Sequence, residues 1–205
     1  MVLPSRRACL LSLLGPLLPV GLAHAGRQIE EPLSHAVRSA LSAAVAAAAP
    51  PEPLLPTVSD QQIYAQWQAF SSQRLARYKT HPTERQEFLQ TLWYEARRAG
   101  LPLSLVLGVV QVESAFRKYA ISSAGAMGYM QVMPFWARLI GDGNESRLFH
   151  MQTNLRFGCV ILRYLLDRER GDLFMGLGRY NGSRGKSAYP QSVLAAQSLW
   201  VHEAD

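Results

Sequence analysis

Residues 102–134 read PLSLVLGVVQVESAFRKYAISSAGAMGYMQVMP, and the fold follows from how this stretch is read. Its first part, Leu103 to Val112, is an apolar run of helical length, opened by Pro102 where a missing N–H costs nothing. The run ends in a carboxylate, Glu113. In a helix Glu113 follows Val110, Val109 and Val106 by three, four and seven positions, so all four share one face. The carboxylate therefore lies on the buried stripe. Burial disfavours its charged form, and the C-terminal end of a helix presents negative partial charge. Both effects raise the pKa of Glu113 toward the range of a general acid. The residues alone also allow a structural glutamate, bonded to a backbone amide or paired with an arginine such as Arg117.

Outward from this stretch the pattern stays helical. On the N-terminal side, Ser59 with Gln62 has capping-box spacing ahead of Ile63, Trp67 and Phe70, and Thr83 with Gln86 repeats it after Pro82. Phe88, Leu89, Leu92, Ala96 and Ala99 form the stripe of the second of these helices, which Gly100 stops. On the C-terminal side, Met127 to Gln131 is expected to make one or two helical turns. Pro134 then opens a short helix to Ile140. Residues 154–170 are the strongest amphipathic segment, with Leu155, Gly158, Cys159, Leu162, Leu165 and Leu166 inward and the Arg163–Asp167 pair outward. A short helix over 172–180, a glycine-rich turn over 181–185 and a last helix from Pro190 to about His202 complete the reading. No alternating run of five or more residues reads as a strand. The expected class is all-α.

The first 25 residues do not belong to this fold. Arg6 and Arg7 precede an apolar stretch from Ala8 to Leu22, and Ala23-His24-Ala25 is a small-x-small cleavage site, so a signal peptide and an exported, periplasmic protein are expected. The stretch is short and broken by Pro16 and Pro19, which argues against a stable membrane span. Its removal takes two arginines and no acids, lowering the formal charge from +6 to +4. So mild and scattered a positive charge suits an anionic polymer but does not demand nucleic acid. Residues 26–58, alanine-rich and ended by PPEPLLP (50–56), read as a linker, and residues 59–205 as the catalytic domain. Of the two cysteines only Cys159 would remain, a packed core thiol with no disulfide partner.

Most catalytic chemistries are excluded by what is missing. The histidines at 35, 81, 150 and 202 have no metal-ligand spacing, so no metal site is expected. Asp142, Asn144 and Glu145 suggest a calcium loop, but Arg147 and Thr153 occupy the positions that need glycine and glutamate. No nucleophile elbow or phosphate-cradling glycine loop is present. Carboxylate acid–base chemistry centred on Glu113 remains.

The chain resembles the soluble lytic transglycosylase family, murein-cleaving enzymes with a goose-type, lysozyme-like all-α fold. The matching blocks are VESAF (112–116), SSAGAMGYMQVMP (122–134), Asn154 with Gly158 and the Tyr164-Leu165 pair, and RYNGS (179–183). They follow the family's order and spacing over about residues 90–200. The resemblance implies that Glu113 is the catalytic acid, that Ser122 contacts the N-acetyl group near the cleaved bond and that Gln131 hydrogen-bonds sugar. It also implies that Tyr180 and Asn181 line the cleft opposite the glutamate. Met130 and Met133 look like cleft-floor or core residues. The departures are Tyr129 for the usual leucine and Arg179 for the more usual alanine, a rim aromatic and a rim cation that either add sugar stacking and peptide-carboxylate contacts or are plain surface variation.

Most glycosidases need two carboxylates, and only Glu113 sits in a motif. In the family, the acid protonates the departing oxygen while the substrate's own N-acetyl group stabilises the anomeric centre. The resulting carboxylate deprotonates the muramyl 6-hydroxyl, giving a 1,6-anhydro end without water or cofactor. The implied partner is the peptidoglycan glycan strand, with recruitment to a secretion, conjugation or envelope machine as a further expectation. A lysozyme-type hydrolase on the same fold would need Asp142, Glu145 or Asp172 to hold water. A non-catalytic wall-binding or assembly protein would cleave nothing.

Overall fold

The computed structural model describes residues 28–46 and 51–205; the expected signal segment, 1–25, lies outside them. Among the described residues there are eight α-helices and one 3₁₀ segment, with only two isolated β-bridges, Ile121 with Met127 and Met127 with Val132. The helices are α1 (His35–Ala46), α2 (Val58–Leu75), α3 (Pro82–Arg98), α4 (Leu103–Ser114), α5 (Pro134–Ile140), α6 (Met151–Arg168), α7 (Leu173–Asn181) and α8 (Ala188–Gln197); the 3₁₀ segment, Glu145–Phe149, precedes α6. None of these helices is long and apolar enough to cross a membrane.

Helix α4 is the centre of the molecule. Every residue from Leu103 to Val110 is buried, as expected of a helix that is apolar all round. It packs chiefly on α8 and also on α3, while α6 bridges α3 and α7. At Gly108 a Cβ would stand 2.9 Å from the backbone nitrogen of Gln197, so the closeness of α4 and α8 depends on that hydrogen. The aromatic core of Trp67, Phe88, Phe116 and Trp200 lies around this axis, all four fully buried.

Several local expectations are corrected. The first capping box is made by Thr57 with Asp60, not Ser59 with Gln62, because the helix begins at Val58. No side chain caps α3: it follows His81, and Pro82 at its first position sets the entry that Thr83 and Gln86 were expected to set. The last helix ends at Gln197, short of His202. Residues 127–131 do not form helical turns. Met127 exchanges backbone hydrogen bonds with Val132, at 2.9 and 3.0 Å, and closes a tight turn instead.

The largest difference concerns the expected linker. Within the described residues of that 26–58 segment, 28–46 are seated on the domain: α1 packs on α5 and α6, and Leu41 and Val45, one helical turn apart, are buried. Arg98 on α3 donates to the carbonyl of Ala44. An alanine-rich helix has weak pattern but lets backbones approach closely, and two large residues suffice to fix its face.

Candidate active site

Glu113 is the next-to-last residue of α4 and is 5% exposed. Burial pushes its carboxyl up to about 8, against a hydrogen bond from Tyr189 that pulls it down. The Tyr189 hydroxyl, on α8, donates to Oε1 at 2.6 Å. Oε2 is buried and has no hydrogen-bond partner among the described residues. The raised pKa favours the protonated carboxyl near neutral pH, and Oε2 is the oxygen that Tyr189 leaves free. Arg117, the alternative partner, instead donates to the carbonyl of Ser114 at 3.0 Å.

The backbone turns sharply just after the carboxylate. Ala115 and Phe116 both take left-handed conformations, with φ of 48° and 61°. Non-glycine residues there cost on the order of 1–3 kcal/mol each. The Phe116 ring offsets this by packing among Tyr78, Phe88 and Trp200. The sharp exit leaves Glu113 at the end of its helix and sends the chain into the turn that faces it.

That turn, residues 127–131, is tied down from three helices. The Ser114 hydroxyl donates to the Tyr129 carbonyl at 2.7 Å. Asn154 accepts from the Met130 N–H at 2.8 Å and donates to the carbonyls of Met127 at 2.9 Å and Leu148 at 2.7 Å. Tyr180 donates to the Met130 carbonyl at 2.8 Å. Gly128, with φ of 75°, lies so close to Asn154 that a Cβ would stand 2.3 Å from its Nδ2. Three buried polar side chains fully spent on one turn make it rigid.

The structure brings Glu113, Tyr180 and Tyr189 together. All three are buried; burial raises both phenols well above their usual range, and the neighbouring Glu113 charge adds to it. Tyr180, on α7, lies near enough to Glu113 to feel its charge, and Asn181 follows it, buried at the end of that helix. Ser122 stands further out, half-buried, its Oγ accepting from the Ala126 N–H at 3.0 Å so that its own hydrogen is free to donate. Gln131 is placed differently from expectation. It is 1% exposed, at φ of 48°, and its Nε2 donates to the carbonyls of Ala120 at 3.1 Å and Gly128 at 3.0 Å. Its amide braces the turn from inside rather than reaching into a cleft. Tyr129 is no rim aromatic either: it is buried against Phe88, with Lys79 donating to its hydroxyl at 2.8 Å. Arg179 does lie toward the surface, bonded to Glu169 and Glu31 at 2.7 Å each. Tyr189 was missed by sequence reasoning. Its contact spans 76 positions, and a tyrosine next to Pro190 gives no local sign of it.

Among the described residues, the carboxylates that a hydrolase reading would call on are engaged elsewhere. Asp142 pairs with Arg147 and Glu145 with Arg138, both on the surface. Asp172 caps α7 by accepting from the Met175 N–H at 2.9 Å. Glu95, besides Glu113 the buried carboxylate among the described residues, is held by Arg156 at 2.7 Å between α3 and α6.

The family model described as the transglycosylase SLT domain matches residues 91–194, just over half of the chain. The chain belongs to that family. Glu113, the 127–131 turn, Tyr180 and Tyr189 all fall within the matched SLT segment. The chain is 38% identical over 89 residues to the membrane-bound lytic murein transglycosylase C of Actinobacillus pleuropneumoniae, covering 40% of this chain and 24% of that protein. Against the protein of the same description from Mannheimia succiniciproducens it is 48% identical over 84 residues, covering 37% and 24%. The transglycosylase of Enterobacteria phage PRD1 is 32% identical over 115 residues, 53% of this chain and 42% of that protein. The chain thus spans about a quarter of the length of the two murein transglycosylases it matches. Among solved structures, an inactive mutant of the lytic transglycosylase Slt from Pseudomonas aeruginosa shares the fold, with a TM-score of 0.50 at 22% identity over 68% of this chain and 29% of that one. The SLT domain here is accordingly all-α and lysozyme-like.

Proposed function

We propose that this SLT domain is a peptidoglycan lytic transglycosylase. In this reading it cleaves the β-1,4 bond between N-acetylmuramic acid and N-acetylglucosamine without water and leaves 1,6-anhydromuramoyl ends. The observation that carries it is Glu113, a buried carboxyl held in its protonated range, while Asp142, Glu145 and Asp172 are committed elsewhere. A hydrolase working through two carboxylates needs one to activate water. A transglycosylase does not, because the nucleophile is the substrate's own 6-hydroxyl and the protein supplies positioning and a proton shuttle.

Glu113 gives the Oε2 proton to the departing glycosidic oxygen. Charge then develops on the carboxylate, where the Tyr189 hydrogen bond stabilises it. In the second step that carboxylate takes the proton of the 6-hydroxyl as the ring closes on C1, which restores the acid. One group serves both steps because its pKa lies near neutrality. Ser122 contacts the N-acetyl group, and Tyr180 and Asn181 form the opposite wall. The names of the murein transglycosylase relatives support a cell-envelope location, and the division into residues 1–25, a connecting segment and a catalytic domain is retained as part of this reading.

Mass analysis of the sugar ends released from purified murein tests the proposal. Anhydro ends are expected from the wild type and none from Glu113→Gln. Ends heavier by one water would establish the lysozyme-type hydrolase, and equal activity of the two proteins would remove Glu113 from the chemistry.

A further inference from the structure

The segment 28–33 reaches the site from outside its sequence neighbourhood. Gln28 is 7% exposed; its Oε1 accepts from the Trp136 indole N–H at 2.9 Å and lies 3.5 Å from the Met133 N–H. Its Nε2 is buried without a well-formed hydrogen bond, although the amide is near enough to the Tyr180 phenol to oppose that group's upward shift. A carboxamide from residue 28 thus stands between the segment that follows the 127–131 turn and Tyr180 of α7, whose phenol feels the Glu113 charge. Three residues on, Glu31 spans two arginines, with one oxygen 2.5 Å from Arg168 and the other 2.7 Å from Arg179. Arg179 immediately precedes Tyr180. Gln28, Glu31, Leu33, Trp136, Arg168, Arg179 and Arg184 surround one cavity of about 270 Å³.

This arrangement is poorly explained as packing alone. An amide nitrogen left orphaned in a buried site costs more than an apolar side chain of the same size. The Glu31 pairs are one-third exposed and contribute little to stability. What the segment does supply is a carboxamide and a carboxylate about three residues apart, the chemistry of a peptide carried on a sugar. Arg168 and Arg179 present planar donors suited to a carboxylate, and Glu31 occupies them from within the chain.

We propose that residues 28–33 are an internal strap that occupies the peptide side of the cleft, and that Arg168 and Arg179 form a site for a carboxylate of the substrate's stem peptide, which displaces Glu31. The inference rests on the transglycosylase reading for its substrate class. A competitor tethered in place lowers the apparent affinity for ligand by the fraction of molecules it leaves open. Weakening the strap therefore tightens binding, and does so selectively for carboxylate-bearing ligand.

The test uses the full chain carrying Glu113→Gln, so that binding is read without cleavage. The probes are a muramyl peptide with free carboxylates and the same compound with its carboxylates amidated, titrated by calorimetry. Adding Glu31→Gln is expected to tighten binding of the free acid by about three- to tenfold and to leave the amidated form unchanged. Adding Arg168→Gln, a half-exposed position whose loss does not threaten the fold, is expected to abolish the preference for the free acid. Equal affinities with and without Glu31→Gln, or tightening that is the same for both probes, would overturn the strap. Because binding is measured apart from cleavage, these outcomes stand or fall independently of the murein digestion: wild-type protein that cleaves murein while Glu31→Gln leaves binding unchanged refutes the strap alone, and wild-type protein that cleaves nothing refutes the transglycosylase reading.

Discussion

Tyr189 and Glu113 are joined by a 2.6 Å hydrogen bond between the start of α8 and the end of α4, the two helices whose packing forms the axis of the domain. The bond stabilises the carboxylate form and works against burial, which favours the acid. Tyr189 therefore limits how far the pKa of Glu113 rises.

Replacing Tyr189 by phenylalanine separates these roles. The ring keeps its packing and only the donor is lost. The pKa of Glu113 should then rise further, moving the alkaline limb of the activity profile, set by loss of the acid near pH 8 in the wild type, to higher pH. The turnover number should fall by roughly tenfold to a hundredfold, the worth of about 1.5–3 kcal/mol for a hydrogen bond to a charged group. A pH series of murein solubilisation reads both effects. A fall in rate with an unmoved alkaline limb would mean that Tyr189 acts only on packing.

The raised pKa of Glu113 has a consequence for stability. Unfolded, the group titrates near 4.5, and folded near 8. Between these values the folded state binds more protons than the unfolded one, so stability falls as pH rises through that window and the penalty is absent below it. Glu113→Gln removes the ionisable group and should be more stable than the wild type at pH 7, by up to about 3 kcal/mol at 1.36 kcal/mol per pKa unit. At pH 4 the two should be nearly equal. Thermal unfolding at both pH values checks the sign: a variant less stable at pH 7 would contradict the burial argument.

What the sequence made legible was governed by local periodicity. Glu113 was placed correctly because a 3.6-residue stripe fixes which face it joins, and the Arg163–Asp167 pair, found at 2.6 Å, followed from the same rule. The turn at 127–131 was misread because its shape comes from Ser114, Asn154 and Tyr180, which reach it from three helices. Gln131 followed that error: an amide in a helical turn points outward, whereas at φ of 48° it folds back onto Ala120 and Gly128. Tyr129 became core because Lys79, fifty positions earlier, satisfies its hydroxyl. Residues 28–46, within the expected 26–58 linker, hide their seating because alanine gives no stripe to follow, while their fixing contacts lie on Trp136, Arg168 and Arg179.

The role of Asn154 can be tested without touching the carboxylate. Its side chain makes three hydrogen bonds to the turn and to Leu148, and alanine would take this partner from the Met130 N–H and from the carbonyls of Met127 and Leu148. The Met127 carbonyl keeps its bond from the Val132 N–H, so the Met130 N–H and the Leu148 carbonyl bear the loss, and at about 1–3 kcal/mol for an unsatisfied buried group Asn154→Ala should lose about 2–4 kcal/mol in urea unfolding. Activity per folded molecule should also fall, because Met130 is the residue that Tyr180 grips from the opposite wall. Amide exchange at Met130 gives a direct check: its N–H should be strongly protected in the wild type and exposed in the variant. Unchanged protection would show that the turn holds its shape without Asn154.

Glu95 and Arg156 provide the contrasting case, a buried ion pair that serves the fold and not the site. Arg156 on α6 donates to both oxygens of Glu95 on α3 through Nε, at 3.1 and 3.3 Å, and to Oε1 through Nη2 at 2.7 Å; Gln152 adds a hydrogen bond at 3.2 Å. Both side chains are almost fully buried. Breaking a buried pair typically costs about 3–5 kcal/mol, and because Arg98 still stands 3.4 Å from Glu95 the penalty expected of Arg156→Met is about 3 kcal/mol. Replacing both members by apolar residues of similar volume strands nothing, so Glu95→Leu with Arg156→Met should recover most of that loss. Because neither residue takes part in the hydrogen bond that holds Glu113, every variant that folds should cleave murein at the wild-type rate per folded molecule. Urea unfolding of the two single variants and the double variant yields the coupling energy. A double variant as unstable as Arg156→Met would mean that the pair stabilises the α3–α6 contact by more than the cost of burying it.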